Sequence, residues 1–421
     1  MRTAVEWRRD LHAHPEVGFT EFRTASRIAG RLVDLGWDVV TGPGAMVPDE
    51  RLGVPAPGAL DAAYERAAAT GGDPRFLPSM RGGHTAVVAT LRGSGAGSSL
   101  GLRADMDALP IVEADGPEHL PARLGFGSLH PGEMHACGHD GHVGMAVELA
   151  ERLAAERPPG DVTLFFQPAE EGGRGGRAMA PTGLADGLDL FLAVHLGIGL
   201  PSGGLASSMD GLLANSKLRG LFRGVAAHAS LAPQDGRNAV LGAAAAALAV
   251  AGLPRVAGHD TRVAVGRISG GTSSNIVPDR AEILLETRAD EGSVNDDLEQ
   301  RARAALEGAA RMYGLDVDVE LIGSVTTARA DAPAVGVVEE AARAVGLRIV
   351  TPAAEGGVAS DDATALMRRA QAHPGPRFVG ATYVGLGADL AGPHHTPGFD
   401  FDESALAPGV DFLEQLIRTL P

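Results

Sequence analysis

Between residues 20 and 35, TEFRTASRIAGRLVDL, apolar side chains recur at helical spacing (Phe22, Ala25, Ile28, Ala29, Leu32, Leu35), with Thr20 placed to cap the start and Gly36 to stop the end. The periodicity predicts an amphipathic helix. From Thr41 to Gly83 the pattern dissolves into Pro and Gly around one helical stretch, LDAAYERAAA, so this segment reads as a surface insertion. Two strand-like runs follow, HTAVVATL and SLGLRADMD, and later a helix over VGMAVELAERLAAE that stops at Pro158-Pro159. VTLFFQPAEE and LDLFLAVHL are near-continuous apolar runs, the pattern of strands buried on both faces. The first ends in Glu170 and Glu171 and the second near His195. In open α/β sheets the C-terminal strand edge is where ligands bind.

From Lys217 the texture changes. KLRGLFRG, an Ala-rich helix, the alternating strands TRVAVGRI and RAEILLETR, a helix over 294–312 and DVDVELIG run in the order strand, helix, two strands, helix, strand. This order predicts a small α+β domain over 215–325, inserted into a larger α/β domain made of 1–214 and 326–421 whose mixed sheet is flanked by helices. Helix 333–346, the strand FVGATYVGL and an amphipathic helix over 404–418 return the chain to the first domain. The uncharged run Ala239–Leu253 falls short of the roughly 18 apolar residues that suggest a bilayer span, so it reads as a buried or half-buried helix.

Composition excludes several functions. With 421 residues, 44% hydrophobic and 21% charged, the chain is long enough for two cores. A formal charge of −17 and the absence of any basic run argue against a nucleic-acid partner, which would need clustered positive charge. The N-terminus MRTAVEWRRD is charged where a signal peptide is apolar, and no membrane partner is expected. A single cysteine, Cys137, cannot form an intrachain disulfide, so a cytoplasmic location is expected.

That cysteine lies in MHACGHDGH, beside three histidines within nine residues. Divalent metals take thiolate, neutral imidazole and carboxylate, and such groups are costly to bury unless a cation neutralises them. Cys137-Gly138-His139 alone is weak evidence, since a lone buried cysteine is usually core filler. Glu170-Glu171 and His195 beside apolar strands, and His394-His395 in the loop AGPHHTPGFDFDE, each have an ordinary reading as strand ends, core histidine or exposed pair. All four having only ordinary roles is much less expected.

With their flanks, these groups resemble a known family. WRRDLHAHPE, GFTEFRTA, LRADMDALP, MHACGHDGH, FFQPAEEG, AVHLG, AAHAS, SNIVPD, LETRAD and HHTPGFDFDE stand in the order found in the M20 metallopeptidases and amidohydrolases, in the branch of hippurate and auxin-conjugate hydrolases. The match covers almost the whole chain. Within that branch, the Thr41–Gly83 segment and ASDDATALMRRAQAHPG are most similar to the A-type chains of aminobenzoyl-glutamate hydrolase.

The resemblance implies a dinuclear site bridged by the Cys137 thiolate and completed by His139, Glu171, His195 and one histidine of the 394/395 pair. Aligning HTPGF with the family's H-S-P-x-F gives His395 the role, with His394 the alternative. Glu170 is then the general base, and Asp105 and Asp107 supporting groups behind the ligands. His228 is implied to stabilise the oxyanion, often from a second copy of the chain, and Asn275 and Arg288 to hold the substrate carboxylate, for which the planar fork of Arg is suited. The smaller domain becomes a lid and dimerisation domain, with hinges near 214–217 and 322–328. The implied reaction is metal-dependent hydrolysis of the amide of an N-acyl or N-aroyl amino acid, most similar to aminobenzoyl-glutamate. N-acetyl amino acids, hippurate or dipeptides are alternative substrates. The implied cofactors are two divalent ions, manganese with zinc as the alternative. The implied assembly is a homodimer, or a heterodimer with a homologous partner on which activity depends.

Overall fold

The structure, a computed structural model, describes residues 2–95, 97–351 and 359–420. The chain divides into two compact units, one of Met1–Asp210, Ala328–Glu355 and Asp362–Pro421, the other of Gly211–Thr327 and Gly356–Asp361. Among the described residues, the larger unit carries an eight-stranded mixed sheet. Its order is Asp38–Thr41, Val87–Leu91, Val162–Gln167, Leu100–Asp105, Leu190–Leu196, Gly380–Leu386, Gly204–Ala206, Arg348–Ile349. The four central strands, Val162–Gln167 to Gly380–Leu386, run parallel, with Leu102 in register with both Leu164 and Leu192. Every residue of these four strands is buried, which is why their sequences are continuous apolar runs rather than alternating ones. Parallel strands also place their C-terminal ends along one edge, and that edge holds the polar groups discussed below.

Helix His139–Ala155 covers the sheet, and helices Ala4–His12 and Leu406–Thr419 lie against it. The first approach is close enough that a Cβ at Gly144 would sit 2.6 Å from the Ala4 carbonyl oxygen, so only glycine fits there.

Several local expectations change. The helix read over 20–35 spans Phe22–Asp34, and its cap residue is Glu21, not Thr20. The Thr20 hydroxyl instead donates to the Val17 carbonyl at 2.6 Å, while the Glu16 carboxylate takes the first-turn amides of Arg23 and Thr24, each at 2.9 Å. The helix after the Cys/His cluster begins at His139, because Gly138 adopts φ +96 and turns the chain directly into it. The Thr41–Gly83 segment is more than surface: helix Pro57–Ala69 buries Leu60, Ala63 and Ala67 and packs against Phe22–Asp34. Ala363–Ala372 adds a helix that the hydrophobic pattern did not announce.

The smaller unit has a four-stranded antiparallel sheet in the order Asp316–Val325, Ala214–Arg223, Arg280–Ala289, Thr261–Gly270. Helices Ala239–Ala251 and Gly292–Met312 share one core with it, built from Leu218, Phe222, Ile283, Ala243, Ala246 and Leu306. Helix Ala239–Ala251 is half-buried as expected, with Leu248 78% exposed. Among the described residues no helix is long and apolar enough to cross a membrane.

Candidate metal centre

Strands Leu100–Asp105, Val162–Gln167 and Leu190–Leu196 each end at, or lead into, a polar group on the same sheet edge, and Gly138 brings the start of helix His139–Ala155 to it. Cys137, His139 and His195 thereby converge, with donor atoms all within 4.8 Å of one another. Cys137, Glu171 and His395 form a second such group, and His139, Glu170 and Glu171 a third. Cys137, His139 and Glu171 each belong to two of these three groups, which links them into one cluster. The Cys137 sulfur lies 3.5 Å from His195 Nε2, and His395 Nε2 lies 3.1 Å from Glu171 Oε1.

Hydrogen bonds fix which ring nitrogens are available. His139 Nδ1 donates to the Asp107 carbonyl at 2.8 Å and His195 Nδ1 to the Leu196 carbonyl at 2.9 Å, so both present Nε2 to the cluster. His142 has no free nitrogen: Nδ1 donates to Asp105 Oδ1 at 2.5 Å and Nε2 accepts the Leu196 amide at 2.9 Å. His394 Nε2 accepts the Ile198 amide at 3.3 Å, whereas His395 is anchored by its own amide donating to the Ala136 carbonyl at 2.8 Å. His395, at φ +62, lies in the group with Cys137 and Glu171.

The carboxylates divide similarly. Asp105 is spent on Arg103, whose Nη1 donates to Oδ2 at 2.5 Å, and on His142. Asp107 accepts the amides of Glu170 and Glu171 at 2.9 and 3.0 Å, one on each oxygen. Glu170 and Glu171 do not end the strand as the sequence pattern suggested. They lie in a turn beyond Gln167, after Pro168 and after Ala169 at φ +51. Ile198, just past His195, has φ +44. A β-branched residue there is a backbone outlier, and such strain concentrates around functional sites.

Among the described residues, the buried atoms His139 Nε2, Glu171 Oε1 and, in the neighbouring loop, His394 Nδ1 have no hydrogen-bond partner; His395 Nε2 approaches Glu171 Oε1 at 3.1 Å without hydrogen-bond geometry. Burial, only partly offset by His139, pushes the Cys137 thiol up to about 12. Burial opposes protonation of His139, but Asp105 and Cys137 hold it well above the usual histidine range. His195 is held well below that range by burial and then by His142.

The smaller unit holds the other expected residues. His228 pairs across its short strand with Ile276, next to Asn275, and His228 Nδ1 accepts the amides of Ser230 and Leu231 at 3.2 and 3.1 Å. Arg288 sits beside Asn215 at the start of strand Ala214–Arg223, whereas His228 follows that strand's far end. Its guanidinium is engaged by Glu286 at 2.8 and 3.1 Å and by the Ser360 hydroxyl at 3.3 Å. Within this unit the fold therefore joins His228 with Asn275 and leaves Arg288 at the other end of the sheet.

Sequence reasoning missed a network behind the centre. His12 bridges Asp140 and Glu113 at 2.8 Å each, and His119 reaches the same Glu113 oxygen at 2.8 Å. The buried Arg8 lies 3.4 Å from Asp140 and also pairs with Asp400. The motif WRRDLHAHPE contains Arg8 and His12, but their partners are over a hundred residues away and carried no local signal.

Residues 101–419 match the model of peptidase family M20/M25/M40. The chain is 42% identical to the indole-3-acetyl-aspartic acid hydrolase of Enterobacter agglomerans, over 99% of this chain and 95% of that protein. It is 39% identical to a p-aminobenzoyl-glutamate hydrolase subunit of Escherichia coli (strain K12), over the same shares. The crystal structure of an aminobenzoyl-glutamate utilization protein from Klebsiella pneumoniae matches with a TM-score of 0.82 and 34% identity, covering 99% of this chain and 95% of that one.

Proposed function

The chain belongs to peptidase family M20/M25/M40, and from that premise we propose that it hydrolyses the amide bond of an N-acyl or N-aroyl amino acid, with an aminobenzoyl-glutamate-like conjugate as the leading substrate. One observation carries the reading: five potential ligands from distant parts of the chain meet at one sheet edge, leaving His139 Nε2 and Glu171 Oε1 buried without hydrogen bonds. Both similar hydrolases are named for an aromatic acyl group joined to an acidic amino acid, which supports that substrate class over N-acetyl amino acids, hippurate or dipeptides.

The donor set of one thiolate, three imidazoles and one carboxylate suits divalent transition metals. Cys137 would bridge two ions held by His139, Glu171, His195 and His395, manganese being the leading identity and zinc the alternative. When bound, the ions would polarise the amide carbonyl and make water nucleophilic at neutral pH. Glu170, whose carboxylate oxygen is 3.9 Å from His139 Nε2, accepts the proton of the attacking water and returns it to the leaving nitrogen. Asp107, through the two turn amides, sets the direction of both glutamates, and Asp105 does the same for His142 and the strand edge. His228 and Asn275, which lie together at the end of the sheet away from Arg288, would act from a second copy of the chain, His228 on the developing oxyanion and Asn275 on the substrate carboxylate, with Arg288 holding that carboxylate from this copy. We read residues 215–325 as the lid and dimerisation domain; the exposed Leu241, Leu248 and Ile268 on its helix and edge strand suit burial by a second copy of the chain or a homologous partner. The cytoplasm suits a site that depends on a free thiol.

Glu170→Ala is expected to retain bound metal and lose turnover when assayed on aminobenzoyl-glutamate, hippurate and N-acetyl amino acids with manganese and with zinc. Undiminished hydrolysis by that variant contradicts the mechanism. A second reading, a chain that turns over only with a homologous partner, is favoured by the name of the Escherichia coli relative, which makes it one subunit of a hydrolase. Sizing and assaying the chain expressed alone separates the two: turnover by a self-contained dimer rejects the second reading, and two metals without turnover until a partner is added supports it.

A further inference from the structure

The motif GFTEFRTA contributes a buried carboxylate, Glu21, that the reaction as described does not use. Glu21 is 0% exposed and caps helix Phe22–Asp34 with its backbone, while its side chain turns toward the metal-centre edge. One carboxylate oxygen accepts the Ala169 amide at 2.8 Å and the other accepts the Thr85 hydroxyl at 2.6 Å. Asp107 holds the next two amides, those of Glu170 and Glu171. Three consecutive amides of one turn are thus each held by a buried carboxylate from elsewhere in the chain.

Ala169 is the residue in that turn whose backbone most needs holding. It has φ +51, a conformation that a residue with a Cβ adopts at a cost and keeps only when its surroundings impose it. Its carbonyl accepts the amides of Arg174 and Gly175 at 3.2 and 3.0 Å, which closes the turn from one side. Its amide has Glu21. Burial, reinforced by the charge of Asp107, pushes the Glu21 carboxyl up, so the group sits there as a hydrogen-bonding strut and not as half of an ion pair.

We propose that Glu21 is a positioning residue: by holding the Ala169 amide it keeps the strained turn in the form that aims Glu170 into the metal centre. The proposal rests on the reading of Glu170 as the base. Glu21 touches none of the proposed ligands, so its effect should fall on the chemical step and not on metal occupancy.

The test compares Glu21→Asp with Glu21→Gln in the metal-loaded full chain. Aspartate keeps the carboxyl group but is one methylene too short to reach the Ala169 amide. Glutamine keeps the reach, its carbonyl oxygen accepting the amide while its NH2 donates to the Thr85 hydroxyl oxygen. For Glu21→Asp we expect kcat to fall roughly ten- to hundredfold with KM and metal content unchanged, and hydrogen exchange at the Ala169 amide to accelerate. Glu21→Gln should restore both. Wild-type kcat and unchanged exchange in Glu21→Asp overturn the proposal. So does loss of metal, or failure of Glu21→Asp to fold, either of which assigns Glu21 to the fold; equal losses in the two variants overturn it as well, because glutamine retains the reach to the Ala169 amide. If the wild-type chain hydrolyses none of the amides tested, the hydrolase reading fails, and Ala169 exchange still decides whether Glu21 holds the turn.

Discussion

Replacing Asp107 with Asn tests the turn that carries both proposed working glutamates. The carboxylate accepts one amide on each oxygen, from Glu170 at 2.9 Å and from Glu171 at 3.0 Å, and it is fully buried. An asparagine has one acceptor where two are needed, and its NH2 group would face an amide N–H. The variant loses one hydrogen bond to a charged acceptor and leaves a buried donor unmet, a change of about 2 kcal/mol if the two overlapping costs are counted once. The turn is expected to relieve this by moving, which displaces Glu171. At about 1.4 kcal/mol per tenfold, metal affinity should weaken by roughly thirtyfold, within the range found for groups that support metal ligands. Competition with a chelator of known affinity measures it directly, with manganese and zinc run separately. An Asp107→Asn chain that retains its metals as tightly as the wild type and turns over at the same rate refutes the reasoning.

Glu170→Gln preserves shape but cannot take a proton; it should lower kcat by about 10²- to 10⁴-fold while metal content, by elemental analysis, stays at the wild-type level. His12 yields a pH prediction. Burial opposes its protonation, but hydrogen bonds to Asp140 and Glu113 hold it up at about 9. A histidine raised in the folded state stabilises the fold fully below its ordinary value and loses that contribution as pH rises through the folded one. Chemical unfolding of the metal-free larger unit should therefore show a loss on the order of 3 kcal/mol between about pH 6.5 and 9. His12→Gln should flatten that slope, and an unchanged slope in the variant would rule out His12 as its source.

What the sequence disclosed follows the reach of each interaction. The central strands were legible because burial on both faces demands unbroken apolar runs such as VTLFFQ and LFLAVHL. The helices and alternating strands of the smaller unit were legible because each has one buried and one exposed face. Short edge elements such as Gly204–Ala206 and Arg348–Ile349 carry too few residues for a period to appear. At the candidate site, residue types in MHACGHDGH and QPAEE were visible, but their hydrogen-bonding assignments were not. That His142 is occupied and His139 available depends on Asp105, Asp107 and Leu196, which only the fold brings near. The left-handed backbone at Ala169 and His395 was likewise invisible, since neither is a glycine and each is held in place by hydrogen bonds from distant segments.

The central claim is that Cys137 and its companions hold a pair of cations. Elemental analysis of the chain purified with saturating manganese or zinc, beside Cys137→Ala, tests it most directly. Two ions per chain in the wild type and a clear loss in the variant are expected; a wild-type chain that binds none, or a Cys137→Ala chain that keeps both, contradicts a metal pair at this site.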